Sequence, residues 1–256
     1  MAADPYAWSL SDETLVVVAA LAGGYAVARR LEPRARGRRA AFAAGLVLVA
    51  VVFTTPLESL SLHYLLTAHL LQNVVLAEWA PALVVLGLPK AVASWVARAR
   101  AVRVLTQPLV ALPIWLSTYF AWHLPWLYDA ALRRPDSLLH LEHLCYFLAG
   151  ALLWWPVLQA EPHRLRSGAK AAYVFAAFVL ASPLGLLLAL LPNPVYSFYK
   201  AAPGLWGLSH LADQQIAGVT MTAEQAVVFF AVFVTYLGRH LREEESGEAF
   251  RTLGPT

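Results

Sequence analysis

The chain has 256 residues, of which 59% are hydrophobic and 14% charged, with a mean hydropathy of +0.58. A soluble domain carries roughly 25% charged residues to cover its surface, so this composition points to lipid rather than water around most of the chain. The single cysteine, Cys145, excludes an intrachain disulfide framework and any Cys-x-x-Cys metal or redox motif.

The first eight residues, Met1 to Trp8, carry no basic side chain, so the first apolar run reads as a span and not as a cleaved signal peptide. A hydrocarbon core of ~30 Å takes about 20 helical residues to cross. Runs of that kind fall at 13–31, 40–57, 62–88, 104–123, 138–159, 169–191 and 223–240. The third is long and ends Pro81…Gly87-Leu88-Pro89, which predicts a kink or a tilt; Pro183 and Gly185 predict another kink in the sixth. No internal repeat or linker divides the chain. The expected fold is therefore all-α and polytopic, a seven-helix transmembrane bundle forming one domain over 1–256.

Charge sets the orientation. With the N-terminus outside and the C-terminus cytoplasmic, segments 29–39, 89–103, 160–170 and the tail after 238 face the cytoplasm. These segments, which include Arg29 and Arg34, hold 16 of the 19 Lys and Arg residues and leave Arg133, Arg134 and Lys200 outside. Positive charge concentrates on the cytoplasmic side of membrane proteins, so the pI of 9.1 is an orientation signal and nucleic acid is not expected as a partner. Trp8, Trp122, Trp126 and Trp206 fall near the outer interface and Trp95, Trp154 and Trp155 near the inner one, as aromatic belts would.

This topology sorts the histidines. His163 and His240 flank the cytoplasmic ends, whereas His63, His69, His123, His140, His143 and His210 gather on the extracytoplasmic side. His140 and His143 are spaced i,i+3, close enough on one helix face for two imidazoles to reach one ion; His69 and Gln72 share that spacing. His63 and His69 lie about 120° apart and about 9 Å along the axis, better suited to two sites or to successive steps of a path. Neutral imidazole suits copper and zinc, and a helix-end histidine near the headgroups can equally be a solvated flank. His69 sits deeper, where polar side chains face the bundle. Glu78 is the one carboxylate well inside a span, open to proton or cation passage or to pairing within the bundle. Asp213-Gln214-Gln215 and Met221 stand at the predicted mouth of the seventh helix. Asp213 there is either a first-turn acid favoured by the helix dipole or, with the Met221 thioether, part of a metal site.

Taken in order, His63-x5-His69-x2-Gln72, Pro81, Leu86-Gly87-Leu88-Pro89, His123-Leu124-Pro125-x2-Tyr128-Asp129, His140, Trp154-Trp155-Pro156 and Asp213-Gln214-Gln215-x2-Gly218-x2-Met221 resemble the multi-span CtaG family of cytochrome c oxidase assembly factors. The resemblance implies seven helices in the bacterial cytoplasmic membrane and a part in producing active haem-copper oxidase at the copper-insertion stage. It implies functional roles for His63, His69, His123, His140, Asp213 and Gln214; His143 and His210 stand outside the family pattern. The expected activity is non-enzymatic: copper bound on the outer face by His63, His69, His123, His140, His143 and Asp213, with Gln72, His210, Gln214 and Met221 as accessories. The expected partners are oxidase subunits, periplasmic copper chaperones and the lipid bilayer. A haem-binding protein, with histidines on facing helices as axial ligands, and a metal or proton transporter built on Glu78 are the alternatives. Two other seven-helix classes fail on named residues. A retinal protein needs a lysine within a span, but Lys90, Lys170 and Lys200 all flank the spans. A zinc protease needs His-Glu-x-x-His, which His140-Leu-Glu-His143 is not.

Overall fold

The computed structural model describes residues 3–9, 12–28, 30 and 36–252, and the described residues form helices and connecting loops without a strand. Arg29 and Arg34, two of the basic residues in the orientation argument, lie outside the described residues. In chain order the helices are α1 (Asp12–Ala28), α2 (Arg36–Thr54), α3 (Pro56–His63), α4 (Leu66–Val74), α5 (Ala80–Gly87), α6 (Lys90–Val96), α7 (Arg100–Leu105), α8 (Pro108–Trp122), α9 (Pro125–Leu132), α10 (His140–Leu158), α11 (Ser167–Leu190), α12 (Ser197–Lys200) and α13 (His210–Thr252). Among the described residues, five helical stretches are long and apolar enough to cross a membrane: Arg36–Thr54, Leu66–Gly87, Pro135–Leu158, Ser167–Leu190 and His210–Ser246. Pro108–Trp122 is a shorter apolar helix of 15 residues, and α1 has 17.

Local chemistry explains the breaks. Proline at the first helical turn opens α3, α8 and α9, each time after an extended residue, because its ring fixes φ and its missing N–H is an orphan there anyway. Thr55 adds a cap to α3 by accepting from the Leu57 amide. The expected break in the third run takes two forms. The chain leaves helix at Tyr64 and Leu65, and a π-helical turn, Val75–Trp79, joins α4 to α5, with the Ala80 N–H reaching back to the Val75 carbonyl. A second π-turn, Pro135–Leu139, precedes α10. In contrast, α11 runs unbroken through Pro183.

The largest departure is at the end of the chain. The last helix, α13, begins at His210, not near 223, so Asp213 stands in its first turn, as one of the two readings had it, and the Asp213–Met221 stretch is helical. Asp213 and Gln214 lower the hydropathy of the window, yet both are buried and bond to neighbouring elements.

The Leu66–Gly87 stretch is the central post, with 72% of its apolar window buried against 22% for α2. Glycines let helices meet it closely. A Cβ on Gly150 of α10 would fall 2.1 Å from the Ala77 carbonyl oxygen, and one on Gly87 would meet the Phe42 backbone at 2.5 Å. Helices α11 and α13 cross in the same way, since a Cβ on Gly218 would lie 2.5 Å from the Gly185 oxygen. Without a hydrophobic drive between helices in lipid, such close backbone approach is the main source of attraction.

Hydrogen bonds tie each end of the bundle together. At one end Arg38 donates to the Leu88 carbonyl (2.7 Å), His163 meets the Arg103 carbonyl (2.7 Å) and Ser167 bonds Glu243 (2.6 Å). At the other, Ser9 donates to Phe53 O (2.9 Å), Arg133 to Ser197 (2.9 Å), and Asp129 accepts from the Ser197 and Phe198 amides. Trp8, Trp126 and Trp206 are exposed at this second end and Trp95 at the first, as belts require. Trp122, Trp154 and Trp155 are instead buried, Trp154 stacking on Phe229 at 5.4 Å, so they are packing residues and not belt residues.

Candidate functional site

The six outer histidines divide by burial. His69, His123 and His143 are 1%, 5% and 6% exposed, whereas His63 and His140 are exposed and His210 is half-buried. His63 ends α3 beside Tyr64, and His210 opens α13. The π-turn before His140 sets the register of α10, so that His143 points inward while His140 stays at the edge of a cavity. That cavity, about 510 Å³, is lined by Glu58, Asp136, His140 and His143 among apolar walls such as Phe53 and Phe147. The i,i+3 pair therefore does share one space.

Hydrogen bonds orient two of the buried histidines, His69 and His123. The Tyr199 hydroxyl donates to Ser61 O at 2.6 Å, so at 3.0 Å from His69 Nδ1 it accepts, and Nδ1 carries the proton. His69 Nε2 has no hydrogen-bond donor and lies 3.7 Å from Glu142 Oε1, which accepts from Asn73 Nδ2 at 3.0 Å. His123 repeats the pattern: Nδ1 donates to the Tyr119 carbonyl at 2.7 Å, and Nε2 has no partner. Both ring nitrogens of His143 are buried without partners, and its ring lies 6.2 Å from that of His69. Tyr128 bridges the rest, with its ring 5.1 Å from His69 and 5.8 Å from His123. Metal-ligating histidines characteristically donate their second nitrogen to a carbonyl or similar acceptor, which is the arrangement of His69 and His123.

His123 also borders a second, much smaller cavity of about 10 Å³ with Asn73, Tyr119, Tyr146 and Met221. His140 thus lines the larger of these two spaces and His123 the smaller, while His69 lines neither. Met221 lies at the bundle interior, 1% exposed. Among the described residues no group of three His, Cys, Asp or Glu side chains stands close enough to hold one ion.

Several residues singled out in the sequence have structural partners. Asp213 caps α4 from another helix: Oδ2 accepts from the Leu66 amide (2.7 Å), and Oδ1 from the Thr67 amide (3.1 Å) and hydroxyl (2.7 Å). Gln214 accepts from the Val195 amide (2.6 Å) and donates to Leu188 O (3.2 Å), pinning the loop after α11. Gln72 donates to Val52 O at 2.9 Å and to Glu58. Burial pushes the Glu58 carboxyl above its ordinary range, while the Gln72 amide and nearby His69 and His140 pull it partly back. Burial likewise pushes the Tyr199 phenol up, helped by the Asp213, Glu142 and Glu58 carboxyls, so it remains a neutral hydroxyl.

Sequence reasoning missed Glu142, Asn73, Glu58, Tyr128 and Tyr199. Glu142 had a readable signal, an acid between two histidines in an apolar run. Tyr199 had none, because it reaches His69 across 130 residues.

Comparison with known families gives a match over residues 20–243 to the model described as cytochrome c oxidase caa3 assembly factor (Caa3_CtaG). No match was found among curated proteins or solved structures.

Proposed function

This chain belongs to the cytochrome c oxidase caa3 assembly factor family, and from that premise we propose that it captures copper outside the bacterial cytoplasmic membrane and passes it to an oxidase subunit. The observation that carries the copper reading is the 3.7 Å gap between His69 Nε2 and Glu142 Oε1. Two ligands each about 2 Å from a common ion stand at such a spacing. His143, 6.2 Å away between ring centres and without partners of its own, is the third donor that a small side-chain movement would bring in. His140 and Glu58, at the cavity edge, are the receiving groups for ions arriving from a periplasmic chaperone. A site with two ligands set and a third swinging suits a carrier, which must release its cargo to its client. No bond is made or broken in the cargo, so the role is non-enzymatic.

In this reading α1, α2, α4–α5, α8, α10, α11 and α13 are the seven spans. The N-terminus is outside and the Arg38–Arg103–Ser167 end is cytoplasmic. The 510 Å³ cavity beside His140 and His143 is the one feature that favours haem instead.

Metal analysis and an absorption spectrum on the detergent-purified full chain test the proposal, beside a His69→Ala, Glu142→Gln variant. Copper near one equivalent in the wild type, lost in the variant and with no Soret band, is the expected result. A Soret band establishes the haem reading. Absence of copper from folded wild-type protein after loading overturns the carrier role and leaves a scaffold.

A further inference from the structure

On the opposite side of Tyr119 from the histidines lies a second polar cluster that the copper reading does not use. Glu78 sits on the Val75–Trp79 π-turn, 0% exposed, and Oε1 accepts from Gln225 Nε2 at 2.7 Å. The same amide nitrogen donates to the Tyr119 hydroxyl at 3.0 Å. Glu224, half-buried and next to Gln225 in the chain, accepts from the indole of Trp79, the residue next to Glu78 on the π-turn. Three buried oxygens remain without a donor: Glu78 Oε2, Glu224 Oε2 and Gln225 Oε1. All three are acceptors.

No cation meets either carboxylate: α8 adds the uncharged Trp115 beside Tyr119, and α11 brings the buried Tyr173 and Lys170, whose ammonium donates to the Val157 carbonyl. Helix α5 has no titratable residue, and Arg36, Arg38 and Arg39 open α2 at the far end, where Arg38 is engaged with the Leu88 carbonyl. From α4 and α10 come His69, Glu142, His143 and Tyr146, which belong to the histidine site and the small cavity beside it. Among the described residues neither carboxylate has a lysine or arginine partner. Two carboxylates sharing a buried site without a cation cannot both stay ionised, and intramembrane acids of this kind mark proton or ion sites.

We infer that Glu78 and Glu224 form a proton-binding site inside the bundle, which holds one proton between the two carboxyl groups at neutral pH. The proton removes one of the two uncompensated charges. The π-turn is what makes the site possible, since π-bulges re-aim side chains and recur at functional positions. Tyr119 connects it to the histidines: its hydroxyl bonds Gln225 and its carbonyl accepts from His123.

Infrared spectra of the full chain at pH 7, in H2O and D2O, test this, because a protonated carboxyl has its own carbonyl band that shifts on deuteration. The band is expected in wild type. It should be unaffected by added sodium, retained in Glu58→Gln and Glu142→Gln, and lost in the Glu78→Gln, Glu224→Gln double variant. Three results overturn the inference: no such band in wild type, a band that survives the double variant, or one that disappears when sodium is added and so reports a metal cation instead. Should the double variant fail to fold, Glu224→Gln alone carries the test. The band must shift or vanish there, and an unchanged band refutes the shared proton.

Discussion

Replacing Asp213 by alanine is expected to cost stability before it costs metal. The carboxylate is 4% exposed and satisfies the amides of Leu66 and Thr67, the first two residues of α4. Thr67 keeps a second acceptor for its hydroxyl, the Asp213 carbonyl at 3.0 Å, so the substitution orphans two buried N–H groups. Each such group costs about 1–3 kcal/mol, and lost caps measured elsewhere cost about 0.5–2 kcal/mol. A combined loss of about 3 kcal/mol follows, which is over a hundredfold in the folding equilibrium. Asp213→Asn keeps one acceptor oxygen and should lose about half as much. Unfolding of the purified chain by denaturing detergent, followed by tryptophan fluorescence, measures the midpoints, and copper is then counted on the folded fraction alone. The capping argument is refuted by an Asp213→Ala protein that unfolds at the wild-type midpoint but has lost its copper.

Gly150→Ala should sharply reduce folded yield, because its Cβ meets backbone at 2.1 Å; Gly238→Ala, with open space around it, should be silent in the same expression and thermal-melt assay. Glu142→Gln should weaken copper retention at least tenfold in a competition titration while leaving the fold intact, since the amide still accepts from Asn73; unchanged affinity would remove Glu142 from the ligand set. His63→Ala, an exposed position, should leave bound copper unchanged and affect at most the rate of loading. The Glu58 carboxyl is raised in the folded state above its ordinary 4.5, so the folded chain binds that proton more tightly than the unfolded one. Its contribution favours the fold at low pH and is lost as pH rises through the folded value. Glu58→Gln should therefore gain in melting temperature over wild type as pH increases from 4 to 8, and a constant difference would contradict the assignment.

Hydropathy made most of the helical stretches legible, because a lipid-facing helix must be apolar over its whole length. It was least informative where polar groups are satisfied within the bundle. The N-terminal turns of α13 read as a loop because Asp213 and Gln214 are polar, although both side chains are spent on neighbouring backbone. The break at Tyr64-Leu65 and both π-turns left little trace in the sequence; Pro81 marked the region of one, but not its form. Within the site, histidine spacing put His140 and His143 on one helix face, and both line the larger cavity. It could not foresee that His69 would face Glu142 and Tyr199, since those contacts depend on how three separate elements close on one another. Tryptophan position likewise says nothing of whether a ring turns outward, as Trp126 does, or inward, as Trp154 does.

The polar start of α13 bears on the order in which the chain can assemble. Asp and Gln are costly to place in a bilayer before they have partners, and here the partners are the first residues of α4 and the end of α11. Residues 210–222 can therefore settle only against a platform that already exists, which makes the docking of the last helix a late step. The dependence runs both ways, because α4 has no side-chain cap until Asp213 arrives, and α4 carries His69. A chain interrupted before residue 210 would leave the Leu66 and Thr67 amides, at the start of the helix that carries His69, without these acceptors.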